Sequence, residues 1–348
     1  MIRCELEKNY QKSDDSLFLS GDHGYWSNLD RVENDELVAS LGQKSTKEAI
    51  REYYPDLFDV IFSSKREAGL ELLELKGDEA CVDLGCMWGA LTIPLARRCK
   101  HVLGIDQTLN SLKFLGARAR EEELDNVDLL CANLKRLRSF DSKFDVAVVN
   151  GVLEWIPEEG PIELKSYYGK FSEKKYSADP RQQQLDFLRT LHGNLSDRGK
   201  LYLAIENRYD YKMFIGFKDP HANLHFVSFL PRRIANWISK WRLGRPYVTW
   251  IYSFNGLKKL IKEAGFSKVD LYMCFPDYRF PEKIIPLNGS LKDLRPQSLA
   301  PNIVVTNVKR NIFRRIVGGI YRKLFARILR TMKSTKYLAP SIIAIGHK

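Results

Sequence analysis

Residues 82–90 read Val-Asp-Leu-Gly-Cys-Met-Trp-Gly-Ala, and the reading of this stretch decides the fold. A short β-rich run, residues 79–85 (EACVDLG), leads into it, and a helical pattern, residues 89–99 (GALTIPLARRC), leads out. Two glycines, Gly85 and Gly89, mark a strand-to-helix turn. Met87 stands where a third glycine would be expected, and an acid, Asp83, precedes the first. Working outward, the alternation continues. Strands are expected at 101–106 (HVLGID), 126–134 (NVDLLCANL), 144–150 (FDVAVVN), 200–207 (KLYLAIEN), 268–275 (KVDLYMCF) and 340–348 (PSIIAIGHK). Helices are expected at 109–124, at 181–199 with a stop at Gly199, and at 254–266 with a cap at Gly265. Strands that alternate with helices predict an α/β fold: a doubly wound, mostly parallel, seven-stranded sheet with helices on both faces. The apolar strand runs fit burial on both sides.

Three segments frame that core. Residues 1–75 read as an N-terminal helical and loop cap, with helical spacing around a break at Pro55. Residues 76–275 form the core, including an aromatic, basic insertion at about 207–252 that reads as a lid. Residues 276–348 form a C-terminal extension. The six cysteines are scattered without a CxxC pair, which points to a reducing, cytoplasmic setting. The first 16 residues hold no apolar run, so no signal peptide is expected, and no stretch is apolar enough to span a membrane.

In a doubly wound sheet, ligands sit at the carboxyl ends of the strands, near the switch point. Asp83, Gly85 and Gly89 fall there on the first core strand. Asp106 ends the second, where an acceptor for ribose hydroxyls belongs. A nicotinamide dinucleotide needs glycines packed on its pyrophosphate. S-adenosylmethionine (SAM) has no phosphate, and its sulfonium and amino groups favour a nearby carboxylate. Asp83 beside the turn, with Met87 inside it, therefore points to SAM rather than NAD. Taken alone, the loop fits a bare strand-to-helix turn equally well.

The neighbours add weight. Asp83-Leu84-Gly85-Cys86, then Asp106, then Asn133 after the third strand, then residues 144–155 (FDVAVVNGVLEW) resemble the ordered motifs of class I SAM-dependent methyltransferases, over about residues 45–275. The resemblance implies that Asp83, Gly85, Cys86 and Gly89 line the methionine and ribose, and that Asp106 holds the ribose hydroxyls. It implies that Asn133 and Leu134 flank the adenine and that Asn150 closes the floor under the sulfonium. The family usually has Asp where Asn133 stands, but an amide oxygen can also accept from the adenine amino group. Segments further on, among them LAIENRYDYKMFIGFKDPH (203–221), FLPRRIAN (229–236) and FPDYRFP (275–281), resemble a bacterial and archaeal subgroup associated with surface-polysaccharide and glycolipid assembly. That association implies O-methylation of a sugar or a lipid-linked glycan.

Methyl transfer to a hydroxyl needs an aligned acceptor and a base. The candidates are Glu154 after the fourth strand, Glu206 at the end of the fifth, and His221 in the insertion. Each has a plainer reading: a helix cap, a pair with Arg208, or a solvated loop residue. Trp155, Tyr209, Tyr211 and Phe214 form a lid core or a sugar-facing wall. His221 and His225 lack a third ligand, so no metal is assigned. No Pro-Pro-Tyr or Pro-Phe pattern follows Asn150, and no cysteine follows a proline, which disfavours DNA amino and cytosine C5 methylation. Two alternatives stay open: an RNA methyltransferase using a basic tail, and a non-catalytic SAM-binding scaffold for a glycosyltransferase.

The net charge of +12 is unevenly spread. Between Lys309 and Lys336 lie ten basic residues and no acid, with apolar pairs recurring every four residues from Ile312/Phe313 to Ile328/Leu329. The pattern predicts a basic amphipathic helix before the last strand, lying on an anionic membrane at its inner face or packed on the core with its charges in solvent.

Overall fold

The computed structural model describes residues 2–21, 31–157, 179–214, 217–219, 222–244, 247, 250–289 and 333–348. Ten strands form one sheet: β1 (Gln11–Asp14), β2 (Leu17–Leu19), β3 (Ala80–Leu84), β4 (His101–Asp106), β5 (Val127–Cys131), β6 (Phe144–Asn150), β7 (Leu195–Glu206), β8 (Lys268–Phe275), β9 (Lys283–Pro286) and β10 (Ser341–His347). Their order is β1-β2-β5-β4-β3-β6-β7-β10-β8-β9. From β2 to β7 the neighbours run parallel. β10 inserts antiparallel between β7 and β8. The chain winds one way from β3 through β4 to β5, then crosses back to β6 and β7. The switch point therefore lies between β3 and β6, and the carboxyl ends of β3, β4 and β6 converge on it.

The seven expected strands are all present, but among the described residues the sheet has ten strands rather than seven. β1 is exposed along its whole length and β2 has three residues, so neither shows the alternation that marks a strand. They form because β5 offers a parallel edge and Leu17 and Phe18 become buried. A second correction concerns the helix expected to stop at Gly199. It runs from Pro180 to Asn194, and β7 begins at Leu195. Asn194 is withdrawn into the core, where its side-chain oxygen accepts from Phe140 N–H at 2.9 Å. The expected helix over 89–99 is five residues long, Thr92–Ala96.

The N-terminal helices hold the glycine turn in place. Helix Thr46–Tyr53 starts with a capping box, Ser45 with Glu48, and Thr46 ties it to Glu121 through its N–H (2.8 Å) and its hydroxyl (2.6 Å). Its buried face joins Leu37, Ile61, Phe114 and Trp88 in one cluster. Trp88 is fully buried between Tyr54 and Phe114, with ring centroids 5.0 and 5.8 Å away. Burying such a side chain contributes roughly 2–3 kcal/mol, and aromatic pairing adds about 0.5–1.5 kcal/mol. Arg118 closes the arrangement by donating to the carbonyls of Ile61, Trp88 and Gly89, each at 3.2 Å.

The insertion over 207–252 carries a small apolar cluster of its own, Ala222, Val227, Ala235 and Tyr247. It is tied down at both ends. The Asn207 amide donates to the carbonyls of Tyr337 and Ala339, both at 2.7 Å, and at the other end Gln184 donates to the Trp250 carbonyl at 3.0 Å and accepts from the Tyr252 hydroxyl at 2.5 Å. The basic helix expected between Lys309 and Lys336 lies almost wholly outside the described residues.

Candidate active site

The turn after β3 takes three left-handed residues in five: Gly85 (φ +72°), Met87 (φ +46°) and Gly89 (φ +78°). Packing explains the two glycines. A Cβ on Gly85 would meet Val152 at 2.4 Å, and one on Gly89 would meet Leu115 at 2.1 Å. Met87 adopts the conformation a third glycine would, at a cost of about 1–2 kcal/mol for a residue with a Cβ. Its N–H donates to Asp106 Oδ2 at 3.0 Å, which helps to hold it there. Cys86 turns inward: its sulfur packs against Gly104 of β4, in the core.

Asp83 is buried and accepts from the Thr92 hydroxyl at 2.7 Å. Burial pushes its carboxyl up to about 6, with Thr92 and the Arg66 guanidinium pulling the other way. Asp106 is fixed by two backbone donors, Met87 N–H and Thr108 N–H (2.8 Å), and burial raises it as well. Asn133 caps the short turn Leu134–Arg136 through a 3.0 Å bond from Lys135 N–H to its amide oxygen. One lone pair of that oxygen is therefore already in use, while the amide nitrogen stays available. Leu134 packs against the main core beside it. At the end of β6, the Asn150 amide oxygen is buried and has no hydrogen-bond partner among the described residues.

A second group of polar residues closes the other side. Tyr278 donates to Glu206 Oε1 at 3.2 Å. A Cβ on Gly151 would fall 2.4 Å from the Tyr278 hydroxyl, so that glycine leaves room for the tyrosine. Burial, and then the charges of Glu206 and Glu154, hold the Tyr278 hydroxyl protonated well above its ordinary range. Burial opposes the charge on Arg279, but Tyr278, Asp277, Glu206 and Glu154 outweigh it and keep the guanidinium firmly protonated. Asp277 shapes the turn, accepting from the N–H groups of Arg279 (2.9 Å) and Phe280 (3.2 Å). Glu154, only 2% exposed, sits in the short turn Leu153–Trp155 just after β6.

Residues 81–166 match a family described as "Methyltransferase domain". Among curated proteins, the chain is similar to the 23S rRNA (uracil(1939)-C(5))-methyltransferase RlmD of Legionella pneumophila strain Paris. Identity is 26% over 95 residues, which is 27% of this chain and 21% of that protein. RlmD of Vesicomyosocius okutanii is 32% identical over 104 residues, 29% of this chain and 24% of that protein. The chain thus spans about a quarter or less of the curated relatives it matches. Among solved structures, the cyclopropane synthase MmaA2 of Mycobacterium tuberculosis aligns at 14% identity with a TM-score of 0.39, covering 82% of each chain. The core is that of a SAM-dependent methyltransferase. Its cofactor is S-adenosylmethionine.

The residues at the switch point fit that cofactor. SAM brings a cationic amino group, a sulfonium and a carboxylate. The core offers the buried Asp83 for the amino group, the buried Asp106 for the ribose hydroxyls, and for the carboxylate Arg66, whose Nε and Nη1 are buried without a hydrogen-bond partner among the described residues. Arg66 lies close enough to Asp83 for the two charges to be coupled, and burial lowers its guanidinium from the usual range. It escaped the sequence reading because it sits in a stretch of irregular 3-10 turns, Ser64–Leu73, before the first core strand.

Of the three candidate bases, Glu206 accepts from Tyr278, and the charges of both Glu154 and Glu206 act on Tyr278 and Arg279. His221 lies outside the described residues, and so do the structural surroundings of the Phe214 side chain. Tyr211 is buried in the core, and Tyr209 stacks on Phe229 at 6.5 Å. The Arg208 guanidinium donates to the carbonyls of Ser228 (2.6 Å) and Leu230 (2.7 Å), bracing the insertion. Among the described residues, no cluster of His, Cys, Asp and Glu could hold a metal ion, and no helix is long and apolar enough to cross a membrane.

Proposed function

We propose that this protein transfers the methyl group of SAM to a hydroxyl of a sugar or lipid-linked glycan. The observation that carries the reading is the pair at the end of β7: Glu206 accepting from the buried Tyr278 hydroxyl at 3.2 Å, with the buried Glu154 just after β6. A hydroxyl acceptor needs a proton acceptor in line with the methyl donor, and Glu206, already accepting from Tyr278, is suited to take it.

On the cofactor side, Asp83 would face the amino group and Arg66 the carboxylate of the methionine moiety. Asp106 would accept from the ribose hydroxyls. Asn133 and Leu134 would flank the adenine, the free lone pair of the Asn133 amide oxygen accepting from the adenine amino group while its other lone pair holds Lys135 N–H. Asn150 would lie beneath the sulfonium, with Gly85, Cys86 and Gly89 contributing backbone. When bound, the cofactor supplies an activated methyl with its own leaving group.

The RlmD relatives carry an RNA substrate in their names, and uracil C5 chemistry needs a reactive nucleophile such as a thiolate. Burial pushes the thiols of Cys86, Cys131 and Cys274 up, away from the thiolate. This supports the hydroxyl reading over pyrimidine C5 methylation. Mass spectrometry of cell-envelope glycans from cells with and without the protein tests it. One glycan should lose the mass of a single methylene when the protein is absent. An unchanged glycan profile together with a lost methyl mark on RNA would overturn the acceptor assignment.

A further inference from the structure

Helix Arg232–Leu243 turns a face to solvent that the fold does not use. Ala235 and Ser239 are buried on one side. On the opposite side Ile234, Trp237 and Trp241 are 47, 67 and 69% exposed, and their spacing aligns them along one stripe of the helix. The two indoles stack on each other, with centroids 6.3 Å apart and planes within 10°. Exposed tryptophans in such a stripe are uncommon on a water-facing helix and mark a contact surface. On the same insertion, Phe226 is 48% exposed and held at φ +64°, a conformation a bulky residue rarely adopts.

The charges around the stripe have one sign. Arg233, Lys240 and Arg242 are exposed on this helix, and no acid occurs in the sequence between Asp219 and Glu263. An apolar stripe with tryptophans, bordered by bases, matches the boundary of an anionic bilayer. There indoles sit at the headgroup level and each base adds roughly 1 kcal/mol at low salt. A nucleobase would need an open ring face. One face of each indole is spent on the other, and the Arg242 guanidinium lies 4.5 Å from the Trp241 ring centre. We propose that this helix docks the protein on an anionic lipid surface, by Ile234, Trp237 and Trp241 with Arg233, Lys240 and Arg242 at the rim. The inference is independent of which acceptor is methylated.

The full chain should sediment with phosphatidylcholine vesicles containing phosphatidylglycerol at low salt, and not with phosphatidylcholine alone. Replacing Trp237 and Trp241 together with Ser should weaken that partition by about tenfold or more. The pair Arg233→Glu and Lys240→Glu should do the same, both variants keeping wild-type affinity for S-adenosylhomocysteine as the check on folding. Failure of the intact protein to sediment would overturn the proposal. So would sedimentation that neither double variant weakens, which would assign membrane binding to another segment such as 309–336. Binding of single-stranded RNA that depends on the two tryptophans, with vesicles ignored, would also overturn it.

Discussion

The two halves of the proposed site are built differently. On the cofactor side, Asp83, Gly85, Gly89 and Asp106 come from two adjacent strands, and each acid is positioned by donors within a few residues or on the neighbouring turn: Thr92 for Asp83, Met87 and Thr108 for Asp106. On the acceptor side, the tyrosine that touches Glu206 lies 72 residues away in sequence, and Glu154 comes from a third element. A binding half held by local backbone geometry keeps its shape whatever the distant loops do. A half assembled from distant loops can change its acceptor without disturbing the cofactor. If that division is real, substitutions should separate cleanly into those that alter turnover and those that alter cofactor affinity.

The largest expected effect is on turnover. Glu206→Gln and Tyr278→Phe should each lower kcat by roughly 10²–10⁴ if Glu206 is the base, as removal of a general base typically does. S-adenosylhomocysteine affinity should stay within twofold. The assay is release of S-adenosylhomocysteine with a cell-envelope glycolipid extract as acceptor. Loss of cofactor affinity in either variant would break the comparison, because the two halves would then share residues. Unchanged turnover in both, and in Glu154→Gln as well, would remove the acceptor-side assignment altogether.

The mirror-image experiment is Asp106→Ala. It should cost about 1.5–3 kcal/mol of SAM binding, the scale of hydrogen bonds to a charged group, which is roughly 10- to 150-fold in Kd. NAD should not bind measurably to either form. Calorimetry finding NAD binding, or no effect of Asp106→Ala on SAM, would sink the cofactor-side assignment.

How far each half could be read beforehand follows from the same difference. The strand and helix alternation and the positions of Asp83, Asp106 and Asn150 are legible because each depends on a short window of sequence. Glu154 and Glu206 are legible as strand-end acids, but nothing local says that Tyr278 meets Glu206. Only the return of the chain through β8 and the turn before β9 does so. Arg66 is hidden for another reason. Its stretch has no clean helical period, and its importance rests on burial beside Asp83. β2 is invisible because its pairing comes from the β5 edge, and β1 because it pairs with β2 alone and shows no alternation of its own.

A pH titration offers a finer separation. In the cofactor-free protein, burial raises Asp83 to about 6, so the carboxyl is protonated below that pH; above it, ionising the buried group costs folding stability, a cost that fades as pH falls toward the ordinary carboxylate value. A cationic amino group beside it reverses the preference. Below about 6, binding must expel the proton, and affinity should fall by up to about tenfold per pH unit. Above that it should be flat. Asp83→Asn should remove the slope between pH 5 and 7 and leave a uniformly weaker site. A slope that survives in Asp83→Asn would assign the titration to another group, Asp106 being the nearest buried carboxylate with a raised value.

The smallest expected effect concerns Met87, the residue that makes the turn look incomplete. Met87→Gly would relieve about 1–2 kcal/mol of left-handed strain at φ +46°. Against this stand the extra freedom of glycine in the unfolded chain, about 0.5–1 kcal/mol, and the loss of a half-buried side chain packed against the Trp88 cluster, about 1 kcal/mol. The terms nearly cancel, so Tm should move by no more than about 2–4 °C. The hydrogen bond to Asp106 comes from the backbone of Met87 and survives the substitution. Cofactor affinity should therefore stay within about twofold, a difference well under 1 kcal/mol. A tenfold loss would mean that the methionine side chain itself touches the cofactor, and the turn would then be specialised rather than merely tolerant of a residue other than glycine.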